Sequence, residues 1–166
     1  KKTNVSTLYY IGRLEKKKNS LFLIDVFNKL SSESKKTIRL ILAGPIGYGG
    51  EEALEHIKKS PFKDSIDVLG WVDFEKSLQL MKDADVFLFP TLAEGFGLPV
   101  IEAMASGTPC VVSDLPVLRE IGGKAVFYAN PHNMDEWVEK IKIILDEPGV
   151  AAQMRQTGLV LAQNFT

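Results

Sequence analysis

The sequence predicts an α/β fold, because short apolar segments alternate along it with longer segments that have a helical apolar period. The short segments contain four to six apolar residues and end at glycine, proline or serine, which is typical of parallel strands buried on both faces. Hydrophobic residues make up 45% of the 166 residues, enough for one sizeable core. We therefore expect a Rossmann-like three-layer αβα sandwich with a parallel sheet of about six strands.

The predicted strands are defined by the residues that end them as well as by their apolar content. Gly12 follows the first, Gly44 and Pro45 follow the second, Gly70 the third and Pro90 the fourth. Glycine and proline at these places interrupt a strand and turn the chain. In chain order the predicted strands are 7–11, 38–43, 66–69, 86–89, 110–113 and 125–128.

Helices are predicted between the strands from their apolar stripes and from residues that favour helix ends. Asn19 or Ser20 is the expected N-cap of the first helix, and Asp73 that of the third. Pro99 suits the first turn of the fourth helix, and Gly107 suits its C-terminal end. In chain order the predicted helices are 20–30, 51–59, 74–83, 99–105, 115–121, 134–146 and 150–165, the last two separated by 147–149.

Composition narrows the classes of partner. A net charge of −1 argues against nucleic acids and anionic membranes, which bind broad positive surfaces. The single cysteine, Cys110, lies in an apolar run, so we expect a core thiol in a cytoplasmic protein. No apolar run approaches the roughly 18–20 residues of a membrane span, so membrane association is not encoded in this segment. Both ends look cut, and we expect residues 1–166 to be one domain excised from a two-domain protein.

Loops of unusual composition follow five of the predicted strands. The carboxyl ends of parallel strands share one edge of a sheet, and ligands of open α/β sheets bind at that edge. We therefore expect these loops to build one site. They contain Gly12-Arg13, Gly44-Pro45, Gly70-Trp71, residues 90–97 and Ser113-Asp114.

The loop after the fourth strand contains Glu94, and seven residues separate it from Glu102. Gly95 and Gly97 lie between them and allow a ligand to approach the main chain closely. Because a helix is predicted from Pro99 onward, free N–H groups and the positive end of the helix dipole should lie beside Glu94. Such a helix start suits phosphate, and carboxylates suit hydroxyl groups. The pattern predicts a ligand that is part phosphate and part polyol.

Three segments resemble the retaining glycosyltransferases of the GT-B fold in family four, the glycosyl transferases group 1. Residues 89–109 read Phe-Pro-Thr-Leu-Ala-Glu-Gly-Phe-Gly-Leu-Pro-Val-Ile-Glu-Ala-Met-Ala-Ser-Gly-Thr-Pro and resemble the signature of that family. Gly12-Arg13-Leu14 with Lys18 resembles its G-R-x4-K element, and residues 113–123 resemble its S-x4-L-x-E-x2-G run. The resemblance runs from about residue 8 to residue 165 and is to the C-terminal, donor-binding half of such enzymes.

The resemblance implies roles for the matching residues. Arg13 and Lys18 would stabilise charge on a departing nucleoside diphosphate, and Glu94 would lie at the donor sugar. These three are the predicted catalytic residues, although Lys16 and Lys17 compete with Lys18 for its role. The residues predicted to bind the nucleotide-sugar are Gly12, Gly44, Trp71, Val72, Phe96, Gly97, Leu98 and Glu102.

Some of these assignments leave alternatives open. The resemblance implies that Glu102 binds ribose hydroxyls, but the same residue could be an ordinary charge on a helix surface. Trp71 could cover the nucleotide base or could belong to the core. Residues 44–50 lack the Gly-Lys-Ser/Thr ending of a Walker phosphate loop, and we expect a mobile loop near the nucleotide instead.

The sequence gives no reason to expect a metal or a separate cofactor. Asp83-Ala-Asp85 has the spacing of the metal-binding D-x-D motif of other glycosyltransferases. It is predicted at the amino-terminal edge of the sheet, away from the other loops, and is expected to cap or turn the chain. His56 and His132 have no partner at a metal-binding spacing. The resemblance also implies an enzyme that works without a bound metal.

Three functions follow from these observations. The leading one is the donor-binding domain of a retaining transferase that moves mannose from GDP-mannose to a glycan or lipid-linked acceptor. The first alternative is a transferase that uses a UDP-sugar, since such relatives carry nearly the same strings. The second alternative is a non-catalytic nucleotide-sugar-binding or scaffold domain. In the enzymatic cases a further N-terminal GT-B domain would bind the acceptor, and this segment alone is expected to transfer little or no sugar.

Overall fold

The computed structural model of the protein describes residues 4–165, and within them a six-stranded parallel sheet is present as predicted. Across the sheet the strands run in the order β3-β2-β1-β4-β5-β6, and every neighbouring pair is parallel. The strands are β1 (Val5–Ile11), β2 (Thr37–Ala43), β3 (Ile66–Gly70), β4 (Val86–Phe89), β5 (Cys110–Ser113) and β6 (Phe127–Ala129).

Helices connect and follow these strands. They are α1 (Ser20–Glu33), α2 (Gly50–Lys58), α3 (Phe74–Asp83), α4 (Leu98–Ala105), α5 (Pro116–Gly122), α6 (Met134–Asp146) and α7 (Pro148–Ala162). Short 3-10 turns cover Lys16–Lys18, Lys63–Ser65 and Gln163–Phe165. The segment 147–149 is not a separate turn, because Pro148 occupies the first turn of α7 and Glu147 caps both helices.

Two apolar cores lie on opposite faces of the sheet and confirm the three-layer sandwich. The first is formed under α1, α2 and α6 and contains the fully buried Trp137. The second lies under α3, α4 and α5 and contains Cys110, whose thiol pKa is raised by burial. Helix α7 contributes residues to both cores, with Met154 in the first core and Ala162 in the second. Each face of every central strand is therefore covered.

The strand order reverses between β1 and β4, and this reversal defines the place of a site. The chain leaves β1 toward α1 on one face, whereas it leaves β4 toward α4 on the other. The helices that follow these two strands therefore lie on opposite faces of the sheet, and we call the place between their connections at the carboxyl edge the crevice. Crevices at such reversals are where ligands bind in open α/β sheets.

The expected helix ends are confirmed in part. Asp73 caps α3, since its Oδ1 accepts the Lys76 N–H at 2.8 Å, and Gly107 follows α4 with a φ of 73°. Asn19 occupies the N-cap position of α1, but its side chain makes no capping bond. Its φ of 64° is the only positive value at a non-glycine residue in 4–165.

Candidate functional site

Three neighbouring loops at the carboxyl edge contain most of the predicted site residues. We call them the β1 loop (residues 12–19), the β2 loop (residues 44–49) and the β4 loop (residues 90–97). The β1 loop lies between the other two and contacts both. Its two contacts have different chemistry.

The β1 and β2 loops are joined through their main chains. The Leu14 N–H donates to the Pro45 carbonyl at 3.0 Å, and the Gly47 N–H donates to the Leu14 carbonyl at 2.9 Å. The Lys16 N–H donates to the Tyr48 carbonyl at 3.1 Å. These bonds continue the pairing of β1 with β2 beyond the strands and give the β2 loop a defined path. These bonds argue against a mobile loop. The nearness of this loop to a nucleotide stays a prediction.

Gly12 and Gly44 are required by this close pairing. Gly44 has a φ of 132°, and a Cβ there would lie 1.9 Å from the Gly12 carbonyl oxygen. Gly12 has a φ of 151°, and a Cβ there would lie 2.6 Å from the Tyr10 hydroxyl oxygen. Only glycine satisfies both the backbone conformation and the space. Their predicted role in ligand binding stays a prediction beside this structural one.

The β1 and β4 loops are joined mainly through side chains. Lys18 Nζ lies 2.8 Å from Glu94 Oε2, and the two side chains are only 19% and 16% exposed. The ammonium also lies 5.6 Å from the centroid of the Phe89 ring. Two predicted catalytic residues, 76 positions apart, are thus brought together across the crevice.

The charge state of Glu94 follows from its surroundings. Burial raises the pKa of this carboxyl, but the Lys18 ammonium and the N–H groups of Gly95 and Phe96 lower it more. The net result is a pKa below the usual range, so Glu94 is a carboxylate at neutral pH. The predicted role of Phe96 in binding the nucleotide-sugar stays a prediction.

Lys18 is distinguished from the lysines beside it. Lys16 lies toward the β2 loop, where its Nζ is 3.8 Å from Glu52 Oε1 and 5.5 Å from the centre of the Tyr48 ring. The side chain of Lys17 is exposed. Among the described residues, Lys18 is the one of the three whose side chain contacts the β4 loop, which favours it over its competitors.

Arg13 presents an exposed side chain at the start of the β1 loop. Its carbonyl accepts the Tyr10 hydroxyl at 2.8 Å, which fixes the backbone. Within residues 4–165 its guanidinium forms no ion pair. The structure therefore leaves this cation available to a ligand on the same loop as Lys18.

The start of α4 has open N–H groups, as the sequence predicted. Gly97 is its N-cap with a φ of 89°, and the N–H groups of Gly97 and Leu98 have no acceptor among the described residues. A Cβ on Gly97 would lie 2.8 Å from Leu118 and 2.7 Å from Ile121, whereas one on Gly95 would meet nothing within 4 Å. Gly97 is thus needed for packing against α5, and Gly95 leaves open space.

The third motif, residues 113–123, therefore supports the β4 loop through Leu118 and Ile121. Sequence reasoning missed this role. It expected Asn19 only as a helix cap and missed that the Asn19 side-chain amide donates to the Pro90 and Pro131 carbonyls. The signal that could have found them is weak, because both act on backbone or glycine positions that carry no side-chain pattern.

Glu102 lies in the second turn of α4 and is half-buried. Burial raises its pKa, and no hydrogen bond or ion pair joins it to another side chain in residues 4–165. It is therefore not brought into contact with Lys18 or Glu94. A half-buried carboxyl without a partner remains able to accept hydroxyl donors.

Trp71 is 74% exposed, so the alternative that it belongs to the core is wrong. It follows Gly70, whose φ is 70° and whose carbonyl accepts the Gly44 N–H at 2.7 Å. Val72 is half-buried against the second core. The loop after β3 is thus attached to the β2 loop and presents an indole at the edge of the site.

The acidic pair Asp83 and Asp85 makes structural contacts, although neither residue is the cap of α3. Asp85 Oδ2 accepts the Thr7 N–H at 2.8 Å, and Asp83 accepts the Gln79 amide at 2.9 Å. His56 pairs with Asp25 at 2.5 Å between α2 and α1. No group of three or more His, Cys, Asp or Glu side chains within 4–165 could hold a metal ion; the absence of a metal stays a prediction.

Comparison with known proteins agrees with this geometry. A family model described as Glycosyl transferases group 1 matches residues 1–159. The chain is 31% identical over 157 residues to O-antigen chain mannosyltransferase B of Escherichia coli. The matched residues make up 95% of this chain and 41% of that protein. It is 30% identical over 156 residues to glycogen synthase of Mycobacterium tuberculosis, covering 93% of this chain and 37% of that one. The chain thus spans about two fifths of these relatives.

A solved structure has the same fold. The HepE protein of Anabaena, crystallised in complex with UDP and glucose, superposes with a TM-score of 0.86 at 21% identity over 97% of this chain and 44% of its own. None of the helices in residues 4–165 is both long and apolar enough to span a membrane.

Proposed function

This chain belongs to the glycosyl transferases group 1 family and has the fold of a GT-B C-terminal half, and we propose that it is the donor-binding domain of a retaining glycosyltransferase. The observation that carries the proposal is the half-buried pair of Lys18 and Glu94 across the crevice, 2.8 Å apart. Arg13 lies on the same loop as Lys18 with an exposed side chain, and the N–H groups of Gly97 and Leu98 are open at the start of α4. Cations, amide donors and a carboxylate in one crevice match a ligand that joins a diphosphate to a sugar.

The proposed chemistry is the departure of a nucleoside diphosphate from the donor sugar. As the bond between the anomeric carbon and the phosphate oxygen breaks, negative charge grows on the diphosphate. Arg13 contributes a planar guanidinium that can bind two phosphate oxygens, and Lys18 contributes a point charge. The dipole of α4 adds partial positive charge at Gly97 and Leu98. Charges fixed before the reaction lower its barrier without further rearrangement.

Glu94 has a role that its charge state defines. A carboxyl with a lowered pKa accepts hydrogen bonds from sugar hydroxyls and does not serve as a proton donor at neutral pH. It also orients Lys18, so the sugar and the diphosphate would be held by the two ends of one ion pair. Retention of configuration would follow the family, with the acceptor attacking from the face that the diphosphate leaves.

Glu102 and Trp71 are proposed to bind the nucleoside. A half-buried carboxyl without a partner suits the ribose diol, because its two oxygens accept two hydroxyl donors. The exposed indole of Trp71 offers a flat apolar face for a base. Val72 and Gly44, on the loops on either side of this space, would bring main-chain groups close to the nucleotide.

Mannose from GDP-mannose is our leading donor, supported by the similarity to O-antigen chain mannosyltransferase B. A UDP-sugar is the second candidate, supported by the HepE structure in complex with UDP and glucose. The presence of Arg13, Lys18 and Glu94 argues against a scaffold that has lost its chemistry. A glycan or lipid-linked acceptor would be bound by a further domain, without which little or no sugar is transferred.

Calorimetric titration with GDP, UDP, ADP, GDP-mannose and UDP-glucose tests this proposal. We expect selective binding of one base, weakened in both Arg13→Ala and Glu102→Ala. The titration is run on this chain and on the longer protein that contains it, since closure by a second domain could contribute contacts. No binding by either would contradict the proposal, as would binding that neither substitution weakens.

A further inference from the structure

Asn19 ties together three loops that are far apart in sequence. Its side-chain amide donates to the Pro90 carbonyl at 3.1 Å and to the Pro131 carbonyl at 2.9 Å. Pro90 begins the β4 loop, and Pro131 lies in the loop after β6. Both hydrogens of one amide group are thus used on carbonyls 71 and 112 positions away. A single side chain therefore fixes the end of the β1 loop against two neighbouring strand ends.

The backbone at Asn19 is equally specific. Its φ of 64° and ψ of 37° are left-handed, a conformation that asparagine tolerates better than other non-glycine residues. This conformation ends the 3-10 turn Lys16–Lys18, whose last N–H donates to the Glu15 carbonyl, and starts α1 at Ser20. Lys18 directly precedes this sharp change of path, and its side chain contacts Glu94.

A second set of bonds acts in the same place. The Leu92 N–H donates to the Lys17 carbonyl at 2.9 Å, and the Thr91 hydroxyl, fully buried, donates to the Ala93 carbonyl at 2.7 Å. These bonds hold the backbone on each side of the Lys18–Glu94 pair. The amide of Asn19 is the only one of these groups that also reaches the β6 end of the sheet.

We propose that Asn19 is a positioning residue that sets the place of the Lys18 ammonium between Glu94 and the donor diphosphate. The inference rests on the proposed function, because it assigns Lys18 to a diphosphate. Asn19 itself contacts Lys18 only through the chain, so its effect on binding passes through Lys18. Without the two amide bonds the β1 loop would keep its main-chain pairing with the β2 loop and the Leu92–Lys17 bond to the β4 loop, but the residue next to Lys18 would lose its fixed place against Pro90 and Pro131.

A purely structural role predicts a different result. Asn19 could simply stabilise the fold by donating to two carbonyls, and its loss would then lower stability without a specific effect on phosphate binding. Ser60 provides a matched control, because its hydroxyl also takes part in two hydrogen bonds, with Asn28 and with the Phe62 N–H. It lies after α2 and outside the three site loops. Ser60→Ala therefore reports the effect of lost hydrogen bonds alone.

The experiment is a double-substitution cycle on the longer protein that contains this domain, with GDP and UDP as probes. Asn19→Gly keeps the left-handed backbone and removes both N–H donors, and Lys18→Met removes the ammonium. We expect Asn19→Gly to weaken binding of the preferred diphosphate by about 10-fold or more, since small displacements of a binding group have effects of that size. In the Lys18→Met background the same substitution should change binding by less than about 2-fold, the mark of residues that act as one unit.

Each outcome decides between the two roles. Weakened binding in Asn19→Gly that disappears in the Lys18→Met background, with binding unchanged in Ser60→Ala, supports the inference. Undiminished binding by a well-folded Asn19→Gly protein, or an equal loss in both backgrounds, overturns it and leaves the proposed function standing. If the unsubstituted protein binds neither diphosphate, the proposed function fails and the inference fails with it.

Discussion

The two sides of the β1 loop are held by different means. Toward the β2 loop it is joined by main-chain hydrogen bonds and by the close approach of Gly12 and Gly44. Toward the β4 loop it is joined mainly by the Lys18–Glu94 pair and the Asn19 amide, beside one main-chain bond from the Leu92 N–H to the Lys17 carbonyl. The first side depends on the absence of side chains, and the second depends on particular side chains.

The two sides of the β1 loop therefore have different roles. One side positions the loop, and the other provides groups that can bind a ligand. Main-chain pairing fixes where the loop lies but offers a ligand nothing that other loops lack. The side-chain contacts place a cation, a carboxylate and helix N–H groups around one crevice. We therefore expect substitutions on the β2 side to change stability and substitutions on the β4 side to change both stability and binding.

The largest effect is expected for Gly44→Ala, on the framework side. A Cβ 1.9 Å from the Gly12 carbonyl oxygen, at a φ of 132°, forces the two loops apart. We expect a loss of about 3 kcal/mol or more in the free energy of unfolding, measured with urea. Gly95→Ala is the control, because a Cβ there meets nothing within 4 Å, and it should change stability by less than about 1 kcal/mol. Equal losses would show that the pairing is not the framework.

The next effect is expected for Lys18→Met, on the chemical side. It leaves Glu94 half-buried without its cation and should lower the free energy of unfolding at pH 7 by about 2 kcal/mol. Lys58→Met is the control, because Lys58 pairs with Glu55 at 2.9 Å but both side chains are exposed. Its loss should be below about 0.5 kcal/mol.

The same variant has a pH signature. In the unsubstituted protein the pKa of Glu94 is lowered, so its stabilisation is present above the ordinary value of about 4.3 and disappears as pH falls through the folded-state pKa. In Lys18→Met burial acts without the ammonium and the pKa of Glu94 rises. The stability deficit of the variant should therefore shrink from pH 7 to pH 4, and a constant deficit would contradict the ion pair.

A smaller effect, on binding alone, is expected for Arg13→Ala. The guanidinium is exposed and makes no ion pair in residues 4–165, so the free energy of unfolding should stay within about 0.5 kcal/mol. Affinity for the preferred nucleoside diphosphate should fall about 10-fold, or about 1.4 kcal/mol. Unchanged affinity by calorimetry would remove Arg13 from the site.

The smallest effect is expected for Glu102→Gln, which should raise the free energy of unfolding rather than lower it. Burial raises the pKa of Glu102, so this carboxyl reduces stability as pH rises from its unfolded-state value through its folded-state value. The glutamine variant should be more stable at pH 7 by less than about 1 kcal/mol and no more stable at pH 4. Glu139→Gln, at an exposed position of α6, should show neither change. A destabilised Glu102→Gln would mean that the carboxylate has a structural partner.

Sequence reasoning located strands and helices best where their ends carry strong signals. β4 and β5 begin and end where predicted, and so does α6. β6 was predicted two residues early at its start, because Ala125 and Val126 are buried and apolar without being in the sheet. Pairing of Phe127 with Val111 determines where this strand begins, and such pairing is not visible in local composition.

The site was predictable where a family string names the residue, and less so where backbone contacts matter. Lys18 and Glu94 were chosen from motifs, and the structure brings them together. Asn19 was expected only to cap a helix, because its true partners are carbonyls at Pro90 and Pro131. Any residue has a carbonyl, so no pattern in the sequence can mark these two.

The contrast between the two tryptophans gives the protein two independent optical probes. Trp71 is 74% exposed at the edge of the site, and Trp137 is fully buried in the first core, and the sequence contains no other. Iodide should quench the emission of the first and not the second, so nucleotide titration can be followed in Trp137→Phe protein. Unfolding can be followed in Trp71→Phe protein, whose remaining indole reports only on the core. Binding and folding can thus be read separately from one chain without any added label.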